Sequence, residues 1–298
     1  MPPRIDPFTA LDPDDPRYVE PYGPSGRVLA KRLRRGLAPM LLVGHPGLGK
    51  STELRRTFAA LTADGPAVFI DLADLDVETN PDRVLYDIAA ETLRWWAQDG
   101  PEAQPSPFLV QDLRASDPTF PQGQGRTLKP AEIARACWDE LAMAAKLDRV
   151  PLLVDGVDAM GPDDGRRTLL ALLSLTEFAD LAVVGAPALA TGPENIDVVD
   201  HYRVVTASPV DPRDDKGAAH LAAIARSHLG ERPVGDEPLA RLVAASGGVL
   251  RDLLGLVRDA WAYADEDIDD AAVDDAIRDR TERFRRLLLA GDRKALKK

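Results

Sequence analysis

The chain contains the stretch Met40-Leu-Leu-Val-Gly-His-Pro-Gly-Leu-Gly-Lys-Ser-Thr-Glu-Leu54. Its first four residues are apolar and have the length of a buried strand, and Leu54, Phe58 and Leu61 follow at helical spacing. Between them, Gly44 to Ser51 has the pattern GxxxxGK[ST]. A strand, this pattern and a helix, in that order, are the context in which a phosphate-binding loop forms.

The residue types in this loop suit a nucleotide phosphate. The glycines let the backbone fold with its N–H groups pointing inward, and the helix that follows adds its positive N-terminal dipole. Lys50 is expected to reach the β- and γ-phosphates, Ser51 to supply a hydroxyl to Mg²⁺, and Thr52 to hydrogen-bond an α-phosphate oxygen. The sequence therefore predicts ATP and Mg²⁺ as ligands. Nucleotide contacts are expected along the whole segment, from Gly44, His45, Pro46, Gly47, Leu48, Gly49, Lys50, Ser51 and Thr52.

A second apolar run, Leu152-Leu-Val-Asp155-Gly-Val-Asp158, ends in acidic residues. If the run is a strand, Asp155 lies at the carboxyl edge of the sheet, beside the phosphate loop, where it would hold Mg²⁺ through water. Many P-loop ATPases place a glutamate directly after this aspartate to orient the attacking water, but here the neighbour is Gly156. Two interpretations follow: either Asp158 takes that role, or hydrolysis is slow and the protein acts mainly as a nucleotide switch.

Apolar runs of strand length alternate with helical patterns through the middle of the chain, which predicts an α/β fold with a mostly parallel sheet and flanking helices. The predicted strands are Met40 to Val43, Ala67 to Asp71, Leu152 to Val154, Leu181 to Gly185 and Arg203 to Thr206. After Pro212 the apolar residues recur at helical spacing only, which predicts a small all-helical lid domain. Its last helix is expected to run from about Asp269 past Leu288, into a basic tail.

Three regions follow from these patterns. The first 26 residues contain seven prolines, so residues 1–29 are expected to form an extended arm. Residues 30–209 are expected to form the P-loop core, interrupted at about 99–129 by a proline-rich, mobile surface insertion. Residues 210–298 are expected to form the lid and the C-terminal helix.

Composition narrows the choice of partners. The 298 residues include 37 Lys and Arg against 49 Asp and Glu, so a formal charge of −12 opposes binding to nucleic acid or to an anionic membrane. No apolar run reaches the length of a membrane span and the N-terminus lacks an apolar signal core, so the cytoplasm is the expected compartment. The single cysteine, Cys137, and four scattered histidines do not suggest a disulfide or a zinc site.

The motifs together resemble those of AAA+ and STAND ATPases, particularly bacterial stand-alone ATPases with a GxxGxGKSTEL loop, here Gly44 to Leu54. Asp155-Gly-Val-Asp158 resembles the STAND and NACHT acidic motif, in which a small residue follows the first aspartate. Val183-Val-Gly-Ala-Pro187 corresponds to the sensor-1 segment without its usual polar residue. Ser246-Gly-Gly-Val-Leu-Arg251 is similar to the GGxxR lid motif of origin-recognition ATPases, which implies that Arg251 is a sensor that contacts the γ-phosphate.

The resemblance also implies an arginine finger that acts in trans on a neighbouring subunit. Arg203, at the start of the last predicted strand, lies near the usual position, and Arg166 and Arg167 are rivals. Each of the three also fits a surface charge, and that interpretation is preferred for each one individually.

The leading functional hypothesis is a regulatory ATPase that couples nucleotide state to oligomerisation or partner binding, by family analogy in bacterial signalling or antiviral defence. A homo-oligomer and a separately encoded effector or sensor protein are the expected partners. The alternative is a DNA-associated AAA+ ATPase of the origin-recognition or transposition-regulator type. Its lid motif agrees, but dense basic runs occur only at Lys31 to Arg35 and Thr281 to Lys298. A small-molecule kinase is disfavoured because the sequence shows no compact acceptor site or lid arginine cluster.

Overall fold

The computed structural model describes residues 5–21, 25–37, 39–73, 81–115 and 128–287. The chain divides into two compact units. The sheet unit comprises Gly23–Pro46 and Lys50–Ala207, and the helical unit comprises Met1–Tyr22, Gly47–Gly49 and Ser208–Lys298.

The sheet unit contains a five-stranded sheet whose pairings are all parallel. Its strands are β1 Met40–Val43, β2 Val68–Asp71, β3 Val150–Asp155, β4 Ala179–Gly185 and β5 Arg203–Thr206. They lie in the order β2-β3-β4-β1-β5. The inner strands β1, β3 and β4 are mostly apolar because both faces of a parallel sheet are covered; the acidic exceptions are Asp155 and Asp180. This confirms the predicted parallel sheet.

Seven helices of the described residues accompany this sheet. They are α1 Ser25–Leu33, α2 Lys50–Thr62, α3 Pro81–Asp99, α4 Pro107–Ala115, α5 Pro130–Ala145, α6 Pro162–Leu172 and α7 Ile196–His201. Alternate residues of each strand face opposite sides, so that Leu41 and Leu152 pack into one apolar cluster and Leu42 and Leu153 into another. The second cluster also contains Leu54 of α2, which identifies the face of the sheet that α2 covers.

Residues 99–129 are predicted to form a mobile insertion, but the described part of this range is structured. α3 continues to Asp99, and α4 lies inside the range with Leu109 buried in the core. The Ser106 amide and hydroxyl donate hydrogen bonds of 2.9 and 2.7 Å to the Glu140 carboxylate on α5. A proline-rich segment can begin a helix because proline at the first helical position, here Pro107, has no N–H that would need a partner. Residues 116–127 of the predicted insertion lie outside the described residues.

The helical unit contains α8 Asp215–Leu229, α9 Asp236–Ala245, α10 Leu250–Tyr263 and α11 Asp270–Leu287. The predicted apolar stripes form its core, with buried residues Leu221, Ile224, Ala225, Leu239, Leu242, Val243, Leu253, Leu254 and Val257. The predicted helical C-terminal region is therefore confirmed. The predicted continuation past Leu288 and the basic tail lie outside the described residues.

The N-terminal arm is part of the helical unit. Ile5 is buried in the core of that unit, and the Ser227 hydroxyl donates a 2.8 Å hydrogen bond to the Arg17 carbonyl oxygen. The predicted extended range 1–29 is corrected at its end, because α1 already begins at Ser25. None of the helices within the described ranges is both long and apolar enough to cross a membrane.

Candidate functional site

The glycine-rich loop joins the end of β1 to the start of α2. Gly47 and Gly49 adopt left-handed backbone conformations, with φ of +86° and +82°, which residues with a Cβ rarely adopt. The first N–H groups of α2, from Lys50 onward, have no partner inside the helix and are available to an anion. Pro46 has no N–H, so it shapes the loop without donating to a phosphate.

Lys50 is held beneath this loop by two contacts. Its side chain is 4% exposed, and Nζ donates a 3.2 Å hydrogen bond to the His45 carbonyl oxygen. Nζ also forms a 2.9 Å ion pair with Asp158 Oδ2. The His45 side chain itself is exposed, as expected for a variable position of the loop.

Ser51 and Asp155 are brought together at the carboxyl edge of the sheet. The Ser51 hydroxyl donates a hydrogen bond to the Asp155 carboxylate, and the Gly156 amide donates another to Oδ1 at 2.9 Å. Burial is the main cause that raises the pKa of Asp155, and the nearby carboxylates of Asp71 and Asp158 raise it further. The hydrogen bonds from Ser51 and Gly156 oppose this rise without cancelling it.

This donor set fits Mg²⁺. A serine hydroxyl that donates a hydrogen bond to Asp155 keeps its oxygen lone pairs for a cation. Mg²⁺ prefers oxygen ligands and usually keeps several of its waters, which a buried carboxylate can hold. A divalent cation would also remove the electrostatic cost of a buried, ionised Asp155 among other carboxylates. Ser51 and Asp155 are therefore the residues that would hold it.

Gly156 explains why no glutamate follows Asp155. Its φ is +91°, and a Cβ at this position would lie 3.1 Å from the Ala73 amide nitrogen and 3.2 Å from the Leu72 Cβ. A glutamate here would be strained by the positive φ, and its Cβ would be in tight contact with the chain that leaves β2. The usual water-orienting position is thus closed by the turn itself.

Asp71 is a residue of this region that the sequence analysis missed. It pairs in register with Asp155 at the end of the neighbouring strand, so that both side chains belong to the sheet face covered by α2. Its Oδ1 accepts a 3.0 Å hydrogen bond from the Ala73 amide, and its Oδ2 lies 3.7 Å from a guanidinium nitrogen of Arg55 on α2. The signal was present in the sequence, because the apolar run of β2 ends in an acid just as that of β3 does.

Arg251 lies at the start of α10, within the helical unit. Its amide donates a 3.1 Å hydrogen bond to the Gly47 carbonyl oxygen, and a Cβ on Gly47 would approach the Arg251 Cβ to 2.5 Å. The Arg251 guanidinium lies over the Phe8 ring, 5.2 Å from its centroid. No acidic side chain of the described residues forms an ion pair with it.

The two glycines before α10 have a structural reason. Gly247 and Gly248 adopt φ of +58° and +82°, and a Cβ on Gly248 would lie 1.8 Å from the Val210 carbonyl oxygen. No other residue type fits this close approach without moving the backbone. The double glycine thus sets the path by which the chain enters α10, whose second residue is Arg251.

The three arginine-finger candidates differ in their contacts. Arg166 forms an ion pair with Asp197, and Arg167 with Asp164. Arg203 is exposed and pairs in register with Met40, so it lies at the amino edge of the sheet. A trans-acting role stays a prediction for each of them.

No protein-family model matches the sequence, and no curated protein matches it significantly. Many solved structures resemble the chain, and two of them illustrate the similarity. Orc1 of Aeropyrum pernix, solved in complex with DNA, has 18% identity and a TM-score of 0.56, over 93% of this chain and 71% of that one. The Walker-type ATPase of Pyrococcus abyssi has 15% identity and a TM-score of 0.52, over 94% of this chain and 80% of that one. Together with the parallel sheet and its flanking helices, these likenesses show that the chain has a P-loop ATPase-like fold with a helical C-terminal region.

Proposed function

We propose that the chain binds ATP with Mg²⁺ on residues 44–52 and hydrolyses it. The observation that carries this proposal is the assembly of three groups at one sheet edge: the Lys50 ammonium, the Ser51 hydroxyl and the buried Asp155 carboxylate. A cation for phosphate, a ligand for Mg²⁺ and a carboxylate for its water shell are the parts that phosphoryl transfer needs. The likeness in fold to a Walker-type ATPase supports the same activity.

The chain's own residues have separate tasks in this account. The loop amides and Lys50 bind the phosphates and offset the charge that develops on them. Ser51 and Asp155 hold Mg²⁺, which when bound supplies further charge neutralisation. Since Gly156 has no side chain, the attacking water requires another carboxylate. Asp71 lies on the same sheet face as Asp155, and its contacts with Ala73 and Arg55 hold it as an acceptor, so we assign the water to Asp71 in preference to Asp158.

We further propose that nucleotide state controls assembly with a second copy of the chain and with a separately encoded effector or sensor protein. The support lies in α10. Its first turn carries a backbone bond to Gly47 and a guanidinium without an acidic partner among the described residues. Such a group can bind a γ-phosphate and thereby link nucleotide state to the position of a helix. A role in bacterial signalling or antiviral defence rests on the sequence resemblance.

Replacing Arg251 with alanine is expected to reduce ATP hydrolysis or ATP-dependent assembly by about tenfold or more, the worth of a hydrogen bond to a charged group. ADP affinity should change little, because ADP lacks the γ-phosphate. Assembly is measured by size-exclusion chromatography with light scattering, in ATP and in ADP. Arg258→Ala is the matched control, since Arg258 lies on the same helix but pairs with Asp259. Normal hydrolysis and assembly in Arg251→Ala would show that Arg251 does not sense the γ-phosphate.

A second candidate function is a DNA-associated ATPase. The fold likeness to an Orc1 protein solved with DNA favours it. The charge does not, because the chain carries a net −12. In addition, Arg34 of the first basic run is engaged with Asp64 at 2.5 Å and with the Ala60 carbonyl oxygen at 2.7 Å.

Duplex DNA is therefore expected to bind weakly, with or without ATP. The measurement is fluorescence anisotropy of a labelled duplex, titrated at about 50 and about 200 mM salt, where a protein that contacts several phosphates loses orders of magnitude in affinity. A tight ATP-dependent complex that weakens steeply over this range would favour the DNA-associated function over the regulatory one.

A further inference from the structure

The ion pair between Lys50 and Asp158 places a carboxylate on the cation that a phosphate needs. Nζ and Oδ2 are 2.9 Å apart, and the two side chains are 4% and 23% exposed. A lysine ammonium with so little solvent is stable only when an anion or several acceptors compensate its charge. Besides Asp158, the described residues give Nζ one hydrogen-bond acceptor, the His45 carbonyl oxygen.

The backbone around Asp158 fixes this carboxylate in place. Asp158 is the middle residue of a short 3₁₀ turn, Val157–Ala159, that starts directly after Gly156. The Val157 side chain is fully buried, and the Ala159 amide donates a 3.2 Å hydrogen bond to the Gly156 carbonyl oxygen. The backbone of this turn therefore positions the Asp158 carboxylate next to Lys50.

We propose that Asp158 is an internal counter-ion that occupies Lys50 when the loop is empty and that a nucleotide phosphate displaces. This inference rests on the proposed ATP-binding function and says what limits the affinity of the loop for phosphate. The measured association constant for phosphate is then the intrinsic constant multiplied by the fraction of molecules in which Lys50 is not paired with Asp158. Asp158 also repels the incoming phosphate directly, since both are anions.

The proposal distinguishes Asp158 from a purely catalytic carboxylate. A residue that only orients the attacking water changes the rate of hydrolysis and leaves the affinity for ADP unchanged. A counter-ion that competes with phosphate does the opposite in the ground state: its loss strengthens the binding of ADP and slows the release of product.

The test is an equilibrium titration of ADP by calorimetry in EDTA, where neither hydrolysis nor Mg²⁺ intervenes, on the full chain and on Asp158→Asn. We expect Asp158→Asn to bind ADP about tenfold more tightly than the wild type, as when nine-tenths of the molecules hold Lys50 paired. Inorganic pyrophosphate should show the same gain and adenosine none, because the effect acts on the phosphates.

Two further variants make the result specific. Asp164→Asn removes the same charge from an exposed ion pair with Arg167 and should leave ADP affinity unchanged. Asp158→Ala is a second neutral variant, expected to show the same gain, and circular dichroism verifies that both Asp158 variants are folded.

Unchanged or weaker ADP binding in the folded Asp158 variants, with normal binding by the wild type, overturns the counter-ion proposal alone. A wild type and variants that all fail to bind ADP and pyrophosphate would contradict the phosphate loop itself, and the counter-ion with it.

Discussion

ATP hydrolysis is expected to fall by roughly 10²–10³-fold when Lys50 is replaced by alanine, the usual cost of losing one group that stabilises charge in a transition state. Lys50 is the residue whose side-chain cation lies at the loop, 4% exposed and bonded to the His45 carbonyl oxygen. Without it, the loop amides and Mg²⁺ alone would offset the charge on the transferred phosphate. ATP affinity should weaken as well, because in the proposed site the same cation would contact the bound phosphates.

The measurement is steady-state phosphate release at saturating Mg²⁺. Lys31→Ala is the control, because Lys31 is an exposed lysine on α1 of the same unit, and its removal costs the same formal charge. Turnover in Lys50→Ala equal to that of the control would exclude this loop as the site of hydrolysis.

Asp155→Asn is expected to lower Mg²⁺-dependent hydrolysis by about 10–100-fold. This is the usual effect of replacing a residue that hydrogen-bonds to the ligands of a metal ion. The amide keeps the shape and one oxygen acceptor, so the Gly156 hydrogen bond can persist. It removes the negative charge that would attract the metal's water shell in the proposed site, and nucleotide binding should be partly retained. Hydrolysis measured against Mg²⁺ concentration, with Asp148→Asn on the exposed surface as control, tests this.

The same variant has a stability signature. The folded protein raises the pKa of Asp155 above its ordinary 3.8, so the native state binds more protons than the unfolded state over the range just above that value. Stability therefore falls as pH rises through the range. In EDTA, Asp155→Asn should melt at a higher temperature than the wild type at neutral pH, and the difference should vanish below about pH 3.8. A lower melting temperature at neutral pH would show that the carboxylate stabilises the fold.

Much of the fold was accessible from the sequence because it depends on local patterns. Apolar runs located the five strands, and the alternation with helices indicated their parallel pairing. The loop was evident because Gly44 to Ser51 combines a motif with its flanking elements. Asp155 followed from the same logic, as an acid at the end of a buried strand. The sequence does not predict α4, because high proline content argues against a helix, although Pro107 can occupy the first helical position.

Contacts between residues that are far apart in the sequence cannot be predicted from local patterns. Asp71 carries the same strand-end signal as Asp155, but its place beside Asp155 follows only from strand order and register. The pairing of Asp158 with Lys50 joins residues far apart in sequence, and no spacing rule predicts it. Likewise, the position of the Arg251 guanidinium over the Phe8 ring depends on how the N-terminal arm packs within the helical unit.

The central claim is that residues 44–52, with Asp155, bind ATP and Mg²⁺. Its most direct test is an equilibrium titration of ATP, with and without Mg²⁺, on the wild type and on Lys50→Ala. The account predicts ATP binding by the wild type that Mg²⁺ strengthens, and much weaker binding by Lys50→Ala. A wild type that does not bind ATP, or a Lys50→Ala variant that binds it equally well, would contradict the account.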